Sequence, residues 1–112
     1  DLLIRAQRFD DALAALDEQA RYAEAAPAAL FDTGMVAGAL EKWPLAIASF
    51  QQALSLDPSL QRGHLFLGRS LAEDGRFDEA REALALADKL GASAKDVAAA
   101  RLRLDGLERG RQ

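Results

Sequence analysis

Few side chains in this sequence are equipped for chemistry. His64 is the only histidine, and there is no cysteine. A lone imidazole lacks the partners that acid–base catalysis or metal ligation needs. Without cysteine there is no disulfide, thiolate nucleophile or thiolate metal site. Carboxylates are plentiful, but pairs such as Asp10-Asp11, Asp17-Glu18, Glu73-Asp74 and Asp78-Glu79 fall at helix starts or on helix surfaces. There they serve solubility and the helix dipole. No glycine-rich phosphate loop follows a strand, since no strand is expected, and no Ser-His-Asp set assembles. The expectation is a protein that is not an enzyme, with no catalytic residue, no metal site and no cofactor. What remains is a set of arginines and apolar side chains whose use depends on the elements that carry them.

Those elements are helices. Half of the 112 residues are apolar (50%), few are aromatic (6%), and alanine, leucine and arginine stand out. Strong helix formers fill the chain and β-branched residues are scarce, which predicts an all-α fold. The length suits one domain. The formal charge of −4 disfavours nonspecific nucleic-acid binding, so no nucleic-acid partner is expected. The longest apolar stretches fall far short of a membrane span, so no membrane insertion is expected, and no signal peptide is visible. The chain opens at Asp1 already inside a helical pattern (Leu2, Leu3, Ile4). This predicts a piece of a longer protein, with the targeting information outside it and the compartment, cytoplasmic or periplasmic, left open. The wealth of alanine and arginine is of the kind associated with GC-rich bacterial genomes.

The helices recur at a fixed interval. Gly34 and Gly68 are 34 residues apart, and the same offset takes Trp43 to Phe77, Ala46 to Ala80, Phe50 to Leu84 and Ala53 to Ala87. One step backwards takes Trp43 to Phe9, Ala46 to Ala12 and Phe50 to Leu16. Small matches small, aromatic matches aromatic, and large apolar matches large apolar. A sustained period of this length marks a stacked array.

These residues carry a resemblance. The segment from Pro27 to Pro58, with Trp43, Ala46, Phe50, Ala53 and the closing Pro58, resembles a tetratricopeptide repeat. The segment from Gln61 to Ala92 is similar, with Gly68, Gly75, Phe77, Ala80 and Ala87 in place, and it departs at Ala92, where the closing proline is missing. Residues 1–26 resemble the last part of one more repeat. The resemblance implies a right-handed superhelical stack of antiparallel helix hairpins. Ala46 and Ala80 would be small where helices cross, opposite Gly34 and Gly68. Trp43 and Phe77 would plug the mouth of each hairpin, and Phe50 and Leu84 would fill the space between neighbours. His64 falls where the family places a large side chain packed within the hairpin. One hairpin cannot bury its apolar face alone, so neighbours share a core.

The pattern predicts seven helices, at roughly 1–7, 10–24, 28–40, 44–56, 60–74, 77–89 and 94–108. As a single domain it divides into a partial repeat (1–26), two repeats (27–60 and 61–93) and a capping helix with its tail (94–112). Pro44 fits a first helical turn, Pro58 blocks continuation past a helix end, and Gly75 and Gly91 read as turns. Ser93 and Asp96 resemble a capping box. Val97, Ala100, Leu104 and Leu107 make one apolar stripe, while Arg101, Asp105 and Arg109 alternate in charge on another face. That polar face predicts a cap. The N-terminal edge (Leu2, Leu3, Leu13, Leu16) is expected to cover further repeats or to pair with a second copy.

In the family, the first helix of each repeat lines the concave face. The resemblance therefore implies a peptide-binding groove presenting Ala28, Phe31, Asp32, Met35 and Ala39 from one repeat. The next adds Arg62, Leu65, Phe66, Arg69 and Glu73, and the cap adds Asp96, Ala99 and Arg103. Phe31 and Phe66 read equally as packing between helices, Met35 as a gap filler, and the arginines as solvated surface charge. A groove so lined suits a peptide with hydrophobic and acidic residues. One subfamily grips the acidic tails of heat-shock chaperones through a Lys, Asn and Arg clamp. Here Asp32 stands at the Asn position and Phe66 at the Arg position, and only Arg62 matches, which argues against that ligand. The leading expectation is a scaffold that holds a protein or peptide partner. The alternatives are an assembly element self-associating through the N-terminal edge, and a regulatory domain of a longer enzyme.

Overall fold

The computed structural model describes Asp11 and residues 26–111. The helices expected at 1–7 and 10–24, the partial repeat they form and the edge of Leu2, Leu3, Leu13 and Leu16 lie outside the described residues. Within them are five helices and no strand: α1 (Pro27–Ala39), α2 (Trp43–Leu56), α3 (Gln61–Glu73), α4 (Phe77–Lys89) and α5 (Ala94–Gly110).

Local chemistry sets the ends. Pro27 and Pro44 sit in the first turns of α1 and α2, where a missing amide donor costs nothing. Ser93 caps α5, its hydroxyl accepting from the Asp96 amide at 3.4 Å. Three helices end in the same paired hydrogen bonds. At α3, the Gly75 amide donates to Ala72 O (3.1 Å) and the Arg76 amide to Leu71 O (2.9 Å). Glu41 with Lys42, and Gly91 with Ala92, repeat this at α1 and α4. The motif needs a left-handed residue, and Glu41, Gly75 and Gly91 have φ of 58°, 85° and 94°. The end of α2 differs: Asp57 Oδ1 accepts from the Ser59 amide (3.2 Å) and hydroxyl (2.6 Å), and Pro58 follows.

Small residues let the helices of a hairpin touch. A Cβ on Gly34 would lie 2.6 Å from the Phe50 ring; one on Gly68 would lie 2.8 Å from Leu84 and 3.3 Å from Ala80 O. Ala46 and Ala80 are fully buried (0% exposed), so both crossings are equivalent. α1 packs on α2 and α3 on α4, and α2 and α5 also pack against α3, so one core runs through the array. Phe50, Leu84, Val97 and Leu104 are its largest fully buried side chains, each contributing roughly 1.5–3 kcal/mol by burial. Val97, Ala100 and Leu104 are the inner stripe of α5, with Leu107 partly buried, while Arg101, Leu102, Asp105 and Arg109 are exposed.

The curvature follows from which helices meet. α1 touches α3 and α3 touches α5, whereas α2 and α4 make no such contact. First helices crowd into an inner row and second helices splay apart, so the stack bends toward the inner row.

Candidate functional site

The inner row encloses a groove of about 950 Å³. α1 supplies Gly34, Met35, Gly38 and Ala39; α3 supplies Arg62, Leu65, Phe66, Arg69, Ser70, Ala72 and Glu73; α5 supplies Asp96, Ala99, Ala100 and Arg103. Trp43, Phe50, Ala92 and Ser93 complete it. Of the residues expected from the sequence, Met35, Ala39, Arg62, Leu65, Phe66, Arg69, Glu73, Asp96, Ala99 and Arg103 thus border one hollow. Ala28, Phe31 and Asp32 are not in its lining: Asp32 is exposed on α1, and Phe31 is packed against the core.

Phe31 packs against residues that do line the groove. Its ring centroid lies 5.5 Å from that of Phe50 and 5.7 Å from that of Phe66, and Phe50 and Phe66 stack at 6.3 Å. This triad joins α1, α2 and α3, and two of its rings, Phe50 and Phe66, line the groove. Rings at these separations and tilts add attraction beyond their buried area. Two arginines lie on the cluster. The Arg62 guanidinium is 5.5 Å from the Phe31 centroid and 5.8 Å from that of Phe66, and Arg69 is 5.2 Å from Phe66.

Two of the remaining charges are matched within the wall. Arg103 Nε donates to Glu73 Oε1 at 2.8 Å, linking α5 to α3. The hydrogen bond to Glu73 raises the Arg103 pKa above its ordinary value. These two residues, both expected to meet a ligand, meet each other. Asp96 lies in the first turn of α5, where the helix dipole favours its charge.

Sequence reasoning missed Gly34, Gly38, Trp43, Phe50, Ser70, Ala72, Ala92, Ser93 and Ala100 as lining. The small ones shape the groove by lacking bulk, while Trp43 and Phe50 read in the sequence only as packing within and between the hairpins. Among the described residues no group of His, Asp and Glu is placed to hold a metal, and no helix is long and apolar enough to cross a membrane. His64 packs beside the α2–α3 connection, with Nε2 at 3.2 Å from Pro58 O. That oxygen only accepts, so Nε2 carries the proton and the buried Nδ1 lacks a hydrogen-bond partner.

The tetratricopeptide repeat profile matches residues 1–60 and again residues 31–96. Among solved structures, the chain is similar to the MamA RS-1 ArsTM double mutant, with a TM-score of 0.71 at 17% identity, covering 98% of this chain and 71% of that one. At that identity the likeness is one of fold. None of the curated proteins matches at a significant level. The profile matches span most of the sequence, and the paired crossings, mouths and turns recur at the interval that the family requires: the chain belongs to the tetratricopeptide repeat family.

Proposed function

We propose that this protein is an interaction scaffold whose inner-row groove holds a peptide or helix of a partner protein. Tetratricopeptide repeats generally mediate protein–protein interaction, and the family consists typically of non-enzymatic scaffolds. The observation that supports the finer reading is the groove itself. It crosses three helices, has an apolar floor around Met35, Leu65 and Phe66, and carries arginines along its wall. Apolar concavity with a few placed polar groups is what ligand sites share.

A matched pair of substitutions tests it. Ala99 is exposed within the groove and Ala85 is exposed on α4 in the outer row. Ala99→Trp fills the hollow; Ala85→Trp adds the same bulk elsewhere. A partner captured by the native chain is expected to be retained by Ala85→Trp and lost with Ala99→Trp. Retention by both variants would remove the groove from consideration.

A further inference from the structure

We infer that the outer face of α5 is a docking surface for a second copy of this chain, met head to tail through that copy's acidic stretch 10–24. The inner-row groove plays no part in this contact.

The repeat register shows what does not cover this face. The interval that takes Gly34 to Gly68 ends on Leu102; the same step takes Thr33 and Leu67 to Arg101, and Ala37 and Leu71 to Asp105. In the hairpins these positions meet a second helix at close range. Thr33, Ala37, Leu67 and Leu71 are at most 9% exposed, and a Cβ on Gly34 or Gly68 would lie 2.6 or 2.8 Å from that helix. On α5 all three are exposed, Leu102 at 69%. A leucine at the crossing, with two charges beside it, excludes a second helix packed in the family's manner. A partner on this face meets charge instead.

Lys95, Arg101 and Arg109 are exposed along the face. Among the described residues, the ion pairs are Arg76 with Glu79, Arg81 with Asp78 and Glu108, and Arg103 with Glu73, so none of the three is in one. Asp105, four residues from both Arg101 and Arg109, offsets one of them, and the face stays positive. Residues 94–112 hold five cations and three acids, in a chain whose formal charge is −4. Stretch 10–24 has the opposite character: Asp10, Asp11, Asp17, Glu18 and Glu24 against Arg21 alone. It lies outside the described residues except for Asp11, which is helical and exposed, and its sequence predicts a helix.

The two sets of charges share a spacing. Lys95 and Arg109 are 14 residues apart with Arg101 between them; Asp10 and Glu24 are 14 apart with Asp17 midway. Fourteen residues are close to four helical turns. Lys95, Leu102 and Arg109 therefore share one side of α5, with Arg101 at its edge, and the three acids share one side of their predicted helix. Laid antiparallel, Lys95 meets the second copy's Glu24, Arg101 its Asp17 and Arg109 its Asp10. Leu13 of that copy then comes over Gly106, beside Leu102, where an added Cβ would meet nothing within 4 Å. Each copy carries both surfaces at different places, so the contact is heterologous and propagates.

The test is sedimentation equilibrium of the whole chain from micromolar to millimolar concentration, since one helix against another is a small and therefore weak interface. The expected mass rises with concentration past that of a dimer, and added salt lowers it. Arg101→Glu with Arg109→Glu should weaken association about tenfold or more, and so should Asp10→Lys with Asp17→Lys. Mixed in equal amounts, these two variants should associate again, because each offers the charge the other has lost; misfolding does not produce that result. Ala99→Trp, which fills the groove, should leave association unchanged. A native chain that stays monomeric throughout would overturn the inference, and so would a mixture of the two variants that stays monomeric. Association abolished by Ala99→Trp would overturn it too, by placing the contact in the groove.

Discussion

At the turn between its helices the first hairpin holds Glu41 at φ 58°, where the second, 34 residues on, holds Gly75 at φ 85°. The hydrogen bonds around the two residues are the same, so the backbone repeats even where the residue suited to it does not. The helices differ in the same way. α4 carries Asp78 and Glu79 in its first turn and Lys89 in its last, while α2 carries neither kind of charge at those places. The second hairpin is also clasped by α5. Arg103 holds Glu73, Arg81 holds Glu108, and Arg111 donates to Glu73 O at 3.2 Å while lying over the Phe77 ring at 5.8 Å. The first hairpin places Phe50 where the second has Leu84, and Phe50 reaches the ring of Phe66 across the hairpin boundary. The lesson is a division of labour: close packing is repeated faithfully because volume at a crossing admits few residues, while charge varies with each repeat's neighbours.

If Phe50 joins the hairpins as well as filling one of them, its loss is the most damaging single change. Phe50→Ala is expected to lower stability by about 3–5 kcal/mol, and Leu84→Ala by about 2–5 kcal/mol. Phe50→Ala combined with Phe66→Ala should cost less than the sum of the two, because the rings share one contact. Urea unfolding measures all of them. A strictly additive pair would show that the cluster adds nothing beyond its volume, and that the two hairpins differ at this position only in size.

The turns offer a smaller and opposite-signed pair. Gly75→Ala forces a side chain into the left-handed region and into the Arg111 guanidinium, an expected loss of about 1–2 kcal/mol. Glu41→Gly relieves strain of similar origin but loosens the unfolded chain, leaving an expected gain of about 0.5 kcal/mol. A Glu41→Gly variant whose urea midpoint falls would mean that Glu41 is held by something more valuable than its backbone conformation.

What was legible in the sequence follows the same division. The spacing of Gly34, Ala46, Gly68 and Ala80 announced the crossings, since only small residues fit there, and the helix ends were marked by Pro44, Pro58, Gly75, Gly91 and Ser93. The groove was half legible. Residues on the inner row could be named by their place in the repeat, but the repeat does not say how far along α1 the hollow reaches: Phe31 and Asp32, one turn before Met35 on the same side of the helix, lie beyond its lining. Pairings between distant elements left no periodic trace. Nothing in the spacing of Glu73 and Arg103, or of Gly75 and Arg111, signals that each pair meets. Nor does Glu41 advertise a left-handed turn; only its position one repeat before Gly75 does.

The charge that distinguishes the second hairpin gives the smallest effect. Arg76 Nη2 lies 2.6 Å from Glu79 Oε2, and the Arg76 hydrogen bond holds the Glu79 carboxyl below its ordinary pKa of 4.5, despite the opposing effect of desolvation. A carboxyl with a depressed folded-state pKa contributes stability above its unfolded value, and that contribution disappears as pH falls through the folded value. The partner's raised pKa acts only near the arginine range, far from working conditions. Both side chains are exposed, and pairs of this kind contribute little. The native chain is therefore expected to melt slightly above Glu79→Gln at neutral pH, with the difference closing as pH drops below the carboxylate range. Melting temperatures of the two proteins across pH measure this, and added salt should shrink the gap in the same direction. A gap that persists unchanged at low pH would mean that Glu79 stabilises α4 by something other than its charge, and that the electrostatic contrast between the hairpins does not extend to this pair.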